Sequence, residues 1–116
     1  MMKNKKIKYE KKSCIYATYY NVSYEDKGSI KLWVENNNHS ELFLSNLFVS
    51  ENNRKQGIGN MLLKYSIQAA KRLGFHQFGL KVISGSWMED WYKRFGFIVD
   101  YMFEEDKLMT YLHKNI

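Results

Sequence analysis

The chain reads as an α/β domain: a mixed, mainly antiparallel central sheet built around one parallel β-α-β unit. Three observations predict this. Strand-like patterning, alternating or continuously apolar, occupies residues 7–50, 76–83 and 97–114. Residues 58–73 carry apolar side chains at helical spacing, and a shorter helical stripe follows at 87–95. A strand at 41–50 precedes the first helix and another follows it, the order of a parallel crossover.

Residues 7–12 ("IKYEKK") and 13–22 ("SCIYATYYNV") are rich in β-branched and aromatic residues and read as the first two strands. The turn-forming stretch "YEDKGS" closes them. In "IKLWVE" (30–35), Ile30, Leu32 and Val34 alternate with Lys31, Trp33 and Glu35, a strand with one buried face. "NNNHS" (36–40) is a loop by composition. In "ELFLSNLFVS" (41–50), Leu42, Leu44 and Phe48 fall on one face and Phe43, Leu47 and Val49 on the other. That predicts a central strand covered on both sides.

Ile58, Met61, Leu62, Tyr65, Ala69 and Leu73 then form the apolar face of the first helix, opposite Lys64, Gln68, Lys71 and Arg72. Gly74 is its stop. "HQFGLKVI" (76–83) is a second buried strand. Ser86 and Glu89 make an S-x-x-E capping box that starts the second helix near Trp87. Met88, Trp91, Tyr92 and Phe95 are its apolar stripe, and Gly96 ends it. Residues 97–105 and 107–114 finish as a hairpin around Asp106.

No repeat or composition break divides the chain, so residues 1–116 form a single domain with a basic arm over about residues 1–6. Cys14 is the lone cysteine. It excludes an internal disulfide, points to a reducing, cytoplasmic compartment, and by its place in a strand is expected to be buried. The start lacks the apolar core of a secretory signal, and no run reaches the ~18 apolar residues of a membrane span, so no membrane partner is expected. His39, His76 and His113 stand singly without metal-ligand spacing, so no metal is expected. The net charge of +6 fits a solvated arm or attraction to an anionic partner. Nucleic acid is disfavoured because no RRM-type or helix-turn-helix signature accompanies that charge.

Gly57 and Gly59 stand at the predicted start of the first helix, where glycine costs conformational entropy unless the backbone or a close approach requires it. Unpaired amides and the positive end of the helix dipole favour a phosphate there. Arg54 and Lys55 add positive charge. A P-loop would need a lysine-hydroxyl pair, and a dinucleotide fingerprint would need a small residue at Leu62. Neither is present, which leaves R-x-x-G-x-G, "RKQGIG" at 54–59.

This hexapeptide, with Y-x-x-x-G-F one strand and one helix downstream as "YKRFGF" (92–97), resembles the signature of the GCN5-related N-acetyltransferase (GNAT) family. The likeness covers roughly residues 41 to 114 and implies the acyl-CoA N-acyltransferase fold, with acetyl transferred directly from acetyl-CoA to an amine. It implies that the backbone of Gln56, Gly57, Ile58, Gly59 and Asn60, beside Arg54 and Lys55, holds the pyrophosphate. It also implies that Leu47, Phe48 and Val49 offer a strand edge to the pantetheine arm, and that Tyr92 is the acid for the leaving thiolate. A phenol suits that task, being protonated at neutral pH with a reference pKa near ~10. The other reading of Tyr92 is a core aromatic in the stripe with Met88 and Phe95.

The sequence also departs from the family. Asn46 stands where many members carry a glutamate base, leaving Glu41, Glu51 or a water relay for that role. Gly85, between Ser84 and Ser86, replaces a common asparagine; either serine is then a substitute contact to the coenzyme. Members generally place two helices before the central strand, whereas no helical period precedes residue 41 here. The acceptor side is therefore expected to be open, which suits a protein lysine or N-terminus better than an enclosed small molecule. Short chains of this kind resemble small acetyltransferases of phages and mobile elements. A homodimer is left open. The alternative function is a catalytically weak or inactive GNAT-fold protein that binds a partner.

Overall fold

The computed structural model describes residues 6–37 and 40–116, so His39 and most of the basic arm lie outside the described residues. Seven strands form one sheet in the order β1-β2-β3-β4-β5-β7-β6: β1 Ile7–Ser13, β2 Ala17–Tyr24, β3 Gly28–Glu35, β4 Glu41–Val49, β5 Gln77–Ile83, β6 Ile98–Glu104 and β7 Leu108–Asn115. Helix α1 spans Ile58–Arg72 and α2 spans Trp87–Arg94. Every strand pair is antiparallel except β4 with β5, joined through α1.

Both helices cover the same face. Along β3, Ile30, Leu32 and Val34 are buried, and they join Leu42, Phe78, Leu80 and Leu112 from neighbouring strands in one core beneath α1 and α2. The opposite face carries no helix among the described residues. It carries rings: Trp33 stacks on Phe43 at 5.0 Å, and Tyr101 stacks on Tyr111 at 5.2 Å.

The expectation that β4 is covered on both sides is not met. Lys31 pairs with Asn46 but Leu32 with Leu44, so Ser45 is an extra residue, its hydroxyl donating to the Lys31 carbonyl at 3.2 Å. Such a bulge shifts the alternation. Leu42, Leu44, Leu47 and Val49 therefore share the helix face, while Phe43, Asn46 and Phe48 share the other. Pairing to β5 stops after Phe43↔Gly79. Beyond it the two strands part, and the second half of β4 is only partly covered.

Two further expectations need correction. The first two strands are separated by a turn at residues 14–16, and Cys14 is exposed in it rather than buried in a strand. Asn36 holds that turn from a distance, its Nδ2 donating to the carbonyls of Cys14 (2.7 Å) and Ile15 (3.1 Å). The buried stripe of α1 is Ile58, Leu62, Leu63, Ser66, Ile67 and Ala70; Met61, Tyr65 and Ala69 flank it, and Leu73 is exposed. The helix-end signals hold. Gly74 and Gly96 take left-handed backbone after the two helices, and the Glu89 amide donates to the Ser86 hydroxyl at 3.4 Å.

Candidate active site

The path from β4 into α1 is a 3-10 turn, Glu51–Asn53, followed by a loop with two left-handed residues, Lys55 (φ 64°) and Gly57 (φ 79°). Gly57 caps α1 with no side chain to satisfy the first-turn amides, and no acidic residue lies in that turn. The first helical bond runs from the Met61 amide to the Gly57 carbonyl at 3.0 Å. The amides of Ile58, Gly59 and Asn60 come before it and find no partner within the helix. An uncapped positive helix end beside Arg54 and Lys55 attracts an anion. Arg54 is anchored, its Nε donating to the Val49 carbonyl at 3.1 Å.

Where β4 parts from β5, the strand edge opens into a cleft of about 790 Å³. Leu47, Phe48 and Val49 form one wall, the start of α1 the end, and Trp87, Met88 and Trp91 of α2 another wall. Phe48 is 50% exposed and Trp87 72%, large apolar surface to leave in water without a ligand. A Cβ on Gly59 would stand 3.8 Å from both Val49 and Trp91, inside this trough. The shape fits an elongated molecule with an apolar arm along β4 and a phosphate-bearing end at α1.

Leu47, Phe48, Val49, Arg54, Lys55, Gly57, Ile58, Gly59 and Asn60 all line the cleft. Gln56 does not. It turns toward a smaller hollow with Tyr24, Lys27 and Met61. Sequence reasoning missed Asn53, Trp87, Met88 and Trp91; the stripe containing Met88 and Trp91 looked like core because cleft and core both select apolar side chains.

Tyr92 lies one ring below the cleft. It is 1% exposed, edge-on to Trp91 at 4.9 Å and to Phe97 at 5.6 Å, and Phe97 in turn meets Phe78 edge-on at 6.0 Å. Burial pushes its phenol well above the usual tyrosine range, so it is protonated at any working pH. Its ring thus also serves the core. Ser84 bonds Thr110 at 2.6 Å, and Ser86 caps α2, with the Glu89 carboxylate accepting from the Gly85 amide at 3.0 Å. Asn46 faces away from the helices, beside Lys31. Glu51 is exposed outside the cleft, and Glu41, at the far end of β4, accepts from the Tyr111 hydroxyl. Among the described residues, no carboxylate or imidazole lines the cleft.

Fold and cradle define a class: α/β proteins with an anion-receptive helix start at the mouth of a parted strand pair. More specifically, the chain belongs to the GNAT acetyltransferase family, whose "Acetyltransferase (GNAT) domain" matches residues 11–99. Among solved structures, it is similar to a GNAT family acetyltransferase from Elizabethkingia anophelis with acetyl-CoA bound, at 16% identity and TM-score 0.72, covering 97% of this chain and 100% of that one. It is similar to a Bacillus subtilis acetyltransferase in complex with CoA, at 17% identity and TM-score 0.72, covering 96% and 99%. Ard1 from Thermoplasma volcanium follows at 17% identity and TM-score 0.70, covering 87% and 70%. No curated protein matches. Among the described residues, no helix is long and apolar enough to cross a membrane, and no group of His, Cys, Asp and Glu side chains is placed to hold a metal.

Proposed function

We propose that this protein binds acetyl-CoA in the β4–α1–α2 cleft and transfers its acetyl group directly to an amine, a protein lysine or N-terminus. The observation that carries the reading is the uncapped start of α1, with Lys55 and Gly57 left-handed, opening onto an apolar trough along the unpaired edge of β4. The amides of Ile58, Gly59 and Asn60 with Arg54 and Lys55 hold the diphosphate, and Leu47, Phe48 and Val49 line the arm. Acetyl-CoA supplies a thioester whose carbonyl carbon a neutral amine attacks.

As the C–N bond forms and the C–S bond breaks, the nitrogen loses a proton and the sulfur gains a hydrogen-bond donor. Tyr92 supplies that donor, held in its protonated form by burial. Among the described residues no carboxylate or imidazole lines the cleft to take the amine proton, which leaves through water. The bare far face of the sheet supports a macromolecular acceptor, because no helix among the described residues walls it off. Cys14, the chain's one cysteine and so without an internal disulfide partner, supports a cytoplasmic setting.

Titration calorimetry with acetyl-CoA, followed by thiol release with lysine peptides, tests this reading. No uptake of acetyl-CoA by folded protein sinks it. A second reading, a GNAT-fold binding protein without turnover, is favoured by Asn46 and the cleft's lack of a base. Binding without thiol release above that of Tyr92→Phe would establish it.

A further inference from the structure

We infer that the Tyr111–Glu41 hydrogen bond ties together two halves of the molecule that hinge between β4 and β5, and that this tie positions the walls of the coenzyme cleft. The positioning role rests on the proposed acetyl-CoA site. The tie itself rests on strand pairing and side-chain contacts.

β4 and β5 pair at Glu41↔Gln77, Leu42↔Phe78 and Phe43↔Gly79 and then part. Every other neighbouring pair of strands is matched along most of its length. The helices divide at the same place: α1 packs chiefly on β2, β3 and β4, and α2 on β5. A short seam therefore joins one half, β1 to β4 with α1, to another, β5, β7 and β6 with α2. The cleft lies between these halves. Leu47, Phe48 and Val49 belong to the first, and Trp87, Met88 and Trp91 to the second. A change of angle at the seam changes the distance between those walls.

Tyr111 crosses the seam. It stands on β7, in the second half, and reaches over β5 to two residues of β4 in the first. Its ring meets Phe43 at 6.2 Å, and its hydroxyl donates to Glu41 Oε2 at 3.1 Å. Phe43 and Gly79 are the last matched pair, so the tie sits where the strands separate. Backbone bonds at such an end open locally more readily than those inside a sheet. A side-chain bond across it opposes that opening. Neither Tyr111 nor Glu41 lines the cleft, so both act on the coenzyme only through its walls and are positioning residues.

Amide hydrogen exchange on the full chain tests the tie without coenzyme. Tyr111→Phe keeps the ring and removes the hydroxyl. The amides that pair β4 with β5 should then exchange about fivefold faster, the fold-change of one net hydrogen bond, while those pairing β2 with β3 keep their wild-type rates. Glu41→Ala should act at least as strongly, which keeps the test decisive if Tyr111→Phe misfolds. Glu41→Gln retains an acceptor for the hydroxyl and should exchange as the wild type does. Release of acetyl-CoA, followed by stopped-flow tryptophan fluorescence, should quicken by the same factor in Tyr111→Phe and stay at the wild-type rate in Glu41→Gln. Unchanged seam exchange in Tyr111→Phe and Glu41→Ala, faster exchange spread evenly over both halves, or unchanged release beside a loosened seam would each overturn the inference. Should the wild type take up no acetyl-CoA, the proposed function falls and takes the positioning role with it, whereas a tie that fails by exchange leaves that function standing.

Discussion

The Tyr111 hydroxyl donates to the Glu41 carboxylate at 3.1 Å across the full width of β5, and the two side chains meet over Gly79. β7 and β4 are not neighbours, so only a residue without a side chain on the strand between them permits the contact. A Cβ at position 79 would stand 2.7 Å from Glu41 Oε2 and closer still to the Tyr111 oxygen. Gly79→Ala should therefore lower stability by about 1–3 kcal/mol. Urea denaturation measures it. The loss should shrink in a Tyr111→Phe background, because the two changes share one contact.

The same pair makes stability depend on pH. Burial raises the Glu41 carboxyl above its ordinary 4.5, only partly offset by the Tyr111 hydrogen bond. A raised acid binds its proton more tightly when folded, so this stabilisation is complete below the unfolded value and lost as pH rises through the folded one. Glu41 is only part-buried, which keeps the effect small. Glu41→Gln should remove this component. Its Tm relative to the wild type should climb as pH rises from about 4, then level off once Glu41 is ionised. A gap that narrows over that window would refute the assignment.

Elements with local chemical marks were legible in the sequence, and those set by distant partners were not. Ser86 and Glu89 mark a helix start because a hydroxyl three residues before an amide can cap it, and Gly74 and Gly96 mark ends because they accept left-handed backbone. The turn at Cys14 carries no glycine or proline; its carbonyls are satisfied by Asn36, over twenty positions away. Ser45 bulges without a sequence mark, yet that residue moves Leu47 and Val49 onto the face of Leu42. Ser66, fully buried, interrupts the apolar stripe of α1 and rotates its apparent centre. Trp91 and Tyr92 are adjacent and aromatic, but about 100° apart on a helix, so one lines the cleft and the other enters the core.

The coenzyme cradle predicts a separation between folding and binding. Gly59 has room for a Cβ at ordinary contact distance, so Gly59→Val should fold while filling the trough between Val49 and Trp91. Affinity for acetyl-CoA should fall at least about tenfold, with Tm little changed. Arg54→Ala should weaken binding mainly at low salt, since the exposed guanidinium acts partly through a screened field. Quenching of Trp87 and Trp91 fluorescence on titration supplies the readout. Equal affinity in Gly59→Val would show that the ligand does not enter this trough.

Tyr92 and the bare chemistry of the cleft together predict the pH profile of turnover. The phenol is pushed upward by desolvation, so it is a donor throughout the accessible range and gives no titration of its own. No carboxylate or imidazole among the lining residues gathers the amine proton. With a lysine peptide, kcat/KM should then rise about tenfold per pH unit toward the amine's own pKa near ~10.4. Tyr92→Phe should lower the whole profile by about 10²–10⁴ without changing its slope, because the donor and the amine titration are independent. Coenzyme affinity should be unaltered, since in the proposed reaction the hydroxyl serves only the leaving sulfur and the ring still fills the core. A plateau beginning between pH 5 and 7, well below the amine's own titration, would instead require a base that the described lining residues do not supply, and would return attention to Glu41.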